Sequence, residues 1–134
     1  MNRSLSILLT VFTLLASACQ FSGSESPVAT QNHEASQVAR SDIGFASKQK
    51  LQEHYEKHGS EFGAISLADY LRQAQLLRDR PVGGSILEIK RDDGAVTRFD
   101  RATGAFLAFN RDLTIRTFFK PNDGERYFLR QANR

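Results

Sequence analysis

The chain reads as an α+β domain in which two N-terminal helices precede a four- to five-stranded antiparallel sheet. Three observations predict this. Apolar residues recur at helical spacing between Ser47 and Leu77, the period drops to two from Ser85 onward, and clusters of Asp, Asn and Gly punctuate the second half. Runs of helix followed by runs of strand without βαβ alternation mark the α+β class.

The first helix is expected from about Ser47 to Gly59, with Gly59 as its C-cap. A turn follows at Glu61-Phe62-Gly63. Ser66 is a good N-cap for the second helix, and Asp69 three residues on makes a weak capping box. Leu67, Tyr70, Leu71, Ala74 and Leu77 form its apolar stripe, and Pro81 with Gly83-Gly84 ends it. Strands are expected over 85–91, 95–99, 105–110 and 114–120. The turns between them fall at Asp92-Asp93-Gly94, at Asp100–Gly104 and at Arg111-Asp112. After a turn at Pro121–Gly124, residues 126–130 are expected to close the sheet.

Ahead of this domain, Met1 to Ala18 reads as an export signal. Arg3 supplies the positive start, and Leu5 to Leu15 is an apolar run too short to span a bilayer of ~30 Å. Leu14-Leu15-Ala16-Ser17-Ala18-Cys19 resembles a bacterial lipobox, which would make Cys19 the site of lipidation and the anchor to a membrane. The lipobox leucine is one place early, so cleavage after Ala16 or Ala18, and an uncleaved anchor, stand as alternatives. Residues 19–44 are polar, hold almost no large apolar side chain and are expected to form a flexible linker. The folded domain is then 45–134. The localisation implied is the cell envelope, as a lipoprotein, or the exterior, as a secreted protein.

Cys19 is the one cysteine, so no internal disulfide exists and the apolar core must hold the domain. A domain of about 90 residues buries somewhat over ~60% of its unfolded surface, which is sufficient but marginal. From Phe45 onward there are 16 basic and 12 acidic residues, and 11 of the basic ones are Arg. Arg grips phosphate through two parallel hydrogen bonds, yet so small an excess also fits an ordinary solvated surface.

The chemistry-bearing stretch is Lys50 to Gly63. His54 and His58 lie four apart, one helical turn above each other, on a face shared with Leu51, Tyr55 and Phe62. Imidazole exchanges protons near pH 7. A zinc-protease pair would need Glu directly after the first His, but Tyr55 follows His54, and the domain offers no Cys or third His. No metal or other cofactor is expected. There is no Gly-rich phosphate loop, no GxSxG and no Cys near a His, so nothing in the sequence supports P-loop hydrolysis or acyl transfer. Glu61 fits either a general base or a solvated acid in the turn.

The order HxxxHGxEFG at 54–63, a short helix with Tyr70 and Ala74, a hairpin, RFDxxTGxF at 98–106 and TIRTFFKP at 114–121 resembles the C-terminal toxin domains of bacterial polymorphic and contact-dependent-inhibition systems. These are similar to the barnase, EndoU, colicin D and RelE group of small ribonucleases. The resemblance covers Phe45 to about Phe128. It implies metal-free RNA cleavage, with tRNA among the candidate substrates, and a cognate immunity protein as partner. It places function on His54, His58, Arg98 and Thr117. The histidines would serve as base and acid, each contributing roughly 10²–10⁴-fold. Arg98 and the Thr117 hydroxyl would stabilise the phosphoryl oxygens. Arg116 and Lys120 alternate with Thr117, so they face the other way and are expected to touch the substrate backbone at most. Phe118 and Phe119 are expected in the core rather than under a base. The chain departs from the pattern at Asp112-Leu113, where such domains often have Asp-Gly, and in placing the domain behind a signal rather than a long delivery protein. The competing expectation is a non-enzymatic surface lipoprotein domain that binds a protein partner.

Overall fold

The computed structural model describes residues 38–133. The expected signal, Cys19 and the expected linker up to residue 37 lie outside the described residues. Two helices come first, α1 (Lys48–His58) and α2 (Leu67–Asp79), joined through a 3-10 turn (Gly59–Phe62). Four strands follow, β1 (Ile86–Lys90), β2 (Val96–Asp100), β3 (Ala105–Phe109) and β4 (Ile115–Phe119), paired antiparallel in chain order. A short helix α3 (Glu125–Leu129) and a second 3-10 turn (Arg130–Asn133) end the described chain. The expected α+β class therefore holds. Among the described residues no helix is long and apolar enough to cross a membrane.

Local chemistry sets the element ends. Ser47 caps α1 by accepting from the Lys50 amide at 3.1 Å. Ser66 caps α2 in a complete capping box, its hydroxyl accepting from the Asp69 amide at 3.1 Å. Gly94 and Gly104 close the first two hairpins with φ of +81° and +74°, where a β-carbon would be strained. The third hairpin uses Leu113 at φ +70°. A left-handed leucine costs about 1–2 kcal/mol. Leu113 offsets this by packing against the core and by offering its carbonyl to Arg78 at 3.4 Å. Leucine can therefore stand where the resembling domains favour glycine.

The pleat sorts each strand between two faces. Ile86, Val96, Ala105, Leu107, Phe109, Ile115 and Phe118 meet Tyr70, Ala74 and Leu77 of α2 in the main core. Phe99, Phe106 and Ala108 lie on the opposite face under Phe128, flanked by Leu87, Ile89, Phe119 and Tyr127.

Two boundaries differ from expectation. Residues 126–130 do not extend the sheet. They belong to α3 and the 3-10 turn after it, which cover the second face with Phe128 and set the Tyr127 ring edge-on to Phe106 and Phe119. A fifth strand beside β4 has no place, because that edge is already engaged: the Ile115 amide donates to Gly44 at 2.8 Å, the Phe118 carbonyl accepts from the Tyr70 hydroxyl, and the Lys120 amide donates to Glu61 at 2.6 Å. Nor is the linker free up to residue 44. The carbonyls of Arg40 and Ile43 each accept from Arg78 at 2.7 Å, Gln75 donates to those of Ser41 and Ile43, and Phe45 bridges Ile115.

Gly59 is required for close approach rather than backbone freedom. Its φ is −56°, but an added β-carbon would lie 2.6 Å from Cδ2 of Tyr55. That ring is tied by its hydroxyl, which donates to the Ile65 carbonyl at 2.6 Å. Gly59→Ala gains about 1 kcal/mol of helix propensity and loses about 1–3 kcal/mol to overpacking. The expected net result is destabilisation, read as a lower urea midpoint with an unchanged slope.

Candidate functional site

The helix α1 lies along the outer edge of β4 because Leu51 and Tyr55 pack on the core, as Phe62 does from the turn after it. This places its two histidines over aromatic rings. His54 tilts over Phe45 with centroids 5.1 Å apart, and His58 tilts over Phe119, also at 5.1 Å. The two imidazoles stack on each other at 6.2 Å, as their four-residue spacing requires.

The 3-10 turn then folds Glu61 back onto His58. One carboxylate oxygen lies 2.7 Å from His58 Nδ1 and the other accepts the Lys120 amide at 2.6 Å. A carboxylate fixed by a backbone N–H is an acceptor, so the geometry assigns the hydrogen of a neutral His58 to Nδ1 and leaves Nε2 as the free nitrogen. This is the orienting role that an acid plays toward histidine in a catalytic triad. The His58 side chain is only 15% exposed, so the pair is partly shielded from water.

His54 differs. Its Nδ1 is buried without a hydrogen-bond partner. Its pKa lies below the usual 6.5, first because burial disfavours the charged ring and then because His58, Lys50 and Lys57 add like charge. Two adjacent imidazoles thus have different environments, one paired with a carboxylate and one held toward neutrality.

The structure separates the remaining expected residues. Thr117 pairs with Ala108 and shares the sheet face of Phe119, two positions along β4 from the ring beneath His58. Arg98 lies on the helix side of the sheet and is not brought to the histidines. It pairs with Glu88 at 2.8 Å and donates to the carbonyls of Leu77 at 3.1 Å, Arg80 at 2.7 Å and Arg78, which closes the C-terminal end of α2. Strand alternation and the pull of orphan helix carbonyls fix this direction. Arg116 pairs with Asp93 at 2.8 Å and bonds Asn110, toward the other end of β4. Lys120 contributes its amide to Glu61 and sets its ammonium 5.1 Å over the Phe62 ring. Phe118 is buried in the main core, while Phe119 is the floor under His58. Glu61, left open by sequence, is the residue that organises the site. The signal for it was the three-residue spacing from His58.

A cleft of about 150 Å³ lies against the C-terminal end of α2, lined among others by Phe62, Leu77, Arg80, Asp100, Thr103 and Lys120, and neither histidine nor Glu61 lines it. Phe62 and Lys120 join the cleft to Glu61. Among the described residues no three His, Cys, Asp or Glu side chains gather in a metal-binding group. No protein-family model matches the chain, and comparison with curated proteins finds no match.

Two expectations follow. Arg98→Met leaves Glu88 unpaired and the carbonyls of Leu77, Arg78 and the cap residue Arg80 without this donor, which should cost about 2–4 kcal/mol. Thermal melts would show a large loss whether or not the protein is active, and a neutral result would refute the capping role. His54 titrates lower in the folded chain than in the unfolded one. Folded protein therefore binds fewer protons just below pH 6.5, and stability falls as pH drops through that value. Comparing urea midpoints at pH 7.5 and 5.5 should show a smaller drop for His54→Gln than for the parent chain.

Proposed function

We propose that this domain is a metal-independent endoribonuclease of toxin type, exported and held at the cell envelope through Cys19 or released. The observation that carries the reading is the His58–Glu61–Lys120 arrangement beside a second, neutral histidine. Pairs of titratable groups set in contrasting environments are how proteins assign acid and base roles at one pH. His54, kept neutral, takes the proton of the RNA 2′-hydroxyl. That oxygen attacks the adjacent phosphorus and expels the 5′-oxygen. His58, its positive charge balanced by Glu61, gives the leaving oxygen a proton. The products are a 2′,3′-cyclic phosphate and a free 5′-hydroxyl. Thr117 donates to a phosphoryl oxygen, and Lys120 supplies the cation the resemblance would place on Arg98. The substrate class is RNA, with tRNA the first to test, and an immunity protein covering the His58 edge would be the natural inhibitor.

A second reading has one observation in its favour. Arg98, the phosphate cation in the resembling domains, is held by Glu88 and the carbonyls that end α2. A domain so altered fits a non-enzymatic surface module that binds a protein.

Incubating residues 38–134 with total RNA in EDTA separates the two. Discrete cleavage is expected. His58→Ala should abolish it, and Glu61→Gln should lower the rate by about 10²-fold or more by freeing the ring. Full activity in a folded His54→Ala, His58→Ala double variant would sink the enzymatic assignment. No cleavage by folded parent protein would favour the binding module.

A further inference from the structure

A second groove lies on the helix side of the sheet, between the β1–β2 turn and the β3–β4 turn. It is open to solvent, measures about 440 Å³ and is lined by Lys90, Arg91, Gly94, Val96, Phe109, Asn110, Arg111 and Leu113. That volume falls within the range of small-molecule sites, roughly 300–1,000 Å³. The floor is apolar, made by Val96, Phe109 and Leu113, and three cations stand around it.

The cations are poorly neutralised. Asp93 is the carboxylate nearest Arg91, but at 3.7 Å, while it holds Arg116 at 2.8 Å. Asp93 is held ionised below the usual range first by its hydrogen bond from Arg116. Arg91 Nε is buried and has no hydrogen-bond partner. Its side chain is 19% exposed, so water reaches it poorly. Among the described residues Lys90 and Arg111 make no ion pair. Asp112 in the adjoining turn accepts the Thr114 amide, and Glu88 on β1 pairs with Arg98. Asp92 is exposed at the tip of the β1–β2 turn.

Gly94 keeps the arrangement open. A β-carbon there would meet Arg111 Nε at 2.8 Å, so the missing side chain lets that guanidinium lie across the turn at the groove rim. A half-buried guanidinium with a buried, unused Nε donor, two further cations and an apolar floor define a complementary ligand. Its head carries more than one negative charge and several acceptors, and its body is apolar. A phosphate monoester bears about −1.5 to −2 charge near pH 7 and three acceptor oxygens, against one charge for a carboxylate.

We infer that this groove binds a phosphate monoester with an apolar or aromatic body, at Lys90, Arg91 and Arg111, independently of the histidine site. The site needs no catalytic step and none is assigned to it.

Titration of the full chain with phenyl phosphate, followed by calorimetry, tests this. Saturable binding is expected, weakening as salt rises. Arg91→Met with Arg111→Gln should weaken it at least tenfold, and His58→Ala should leave it unchanged. Should Arg91→Met fail to fold, Lys90→Gln with Arg111→Gln decides, since both side chains are at the rim. Inorganic phosphate should bind more weakly and phenol should not compete. Absence of saturable binding, equal affinity in either double variant, or equal binding of phenol or of bare phosphate would each overturn the inference. Loss of binding in His58→Ala would also overturn it, by placing the ligand at the histidines.

Discussion

The fold depends on one fully buried guanidinium. Arg78 has five N–H donors and all five have acceptors: Nε and Nη2 grip Asp79, Nη1 serves Ile43 and Leu113, and Nη2 also serves Arg40. Its side chain is 0% exposed. A buried charge is tolerable only when paired and saturated in this way, and removing one member of such a pair costs about 3–5 kcal/mol. Burial alone would raise the Asp79 pKa, but hydrogen bonds from Arg78 and from the Arg40 amide, with the charge of Arg78, outweigh it and hold the carboxyl low. The tie joins three segments distant in sequence: the turn before α1, the end of α2 and the β3–β4 turn. It fixes the lead-in that sets Phe45 beside Ile115, and so fixes the ring over which His54 lies.

The arginine content that suggested phosphate recognition is thus largely structural. Arg78 and Arg98 tie the C-terminal end of α2 to its neighbours. Arg80 reaches Asp100 at 3.3 Å, Arg101 pairs with Glu125 at 2.7 Å, Arg116 with Asp93 at 2.8 Å and Arg130 with Asp123 at 2.8 Å. The exposed pairs contribute only about 0–1 kcal/mol each, and their effect is to leave few guanidiniums for a ligand. Placement says more than the total of 16: Arg91 has a buried Nε without a partner, and it shares one groove with Arg111.

Much of the fold was legible because local signals and global packing agreed. Ser66 with Asp69 announced the start of α2, and the stripe Tyr70, Ala74, Leu77 is the face that meets the sheet. The DDG and DRATG segments marked turns that need left-handed glycines at Gly94 and Gly104. The failures share a cause. A sequence gives a residue's type, not the direction imposed by its neighbours. Arg98 was assigned to phosphate on its motif, yet strand register turns it toward the unsatisfied carbonyls of α2. Residues 126–130 hold too few alternating positions to specify a strand, and the available surface was the Phe99–Phe106 face rather than an open edge. Arg40 to Gly44 lack the apolar content that marks a folded segment because their anchoring is through backbone carbonyls, which composition does not reveal.

The outer edge of β4 joins stability to the candidate chemistry. An exposed edge strand is a template for pairing with another chain, and proteins cover it. Here the cover is made from three unlike groups: a backbone carbonyl from Gly44, a phenol from Tyr70 and a carboxylate from Glu61. The first two are satisfied by single bonds and do nothing further. A carboxylate has a second oxygen, which is free to take another partner. His58, three residues earlier and held over Phe119, is that partner. The histidine therefore takes its orientation from the same group that protects the sheet edge. A histidine held in one orientation beside the covered edge of β4 follows from how the backbone of that strand is satisfied.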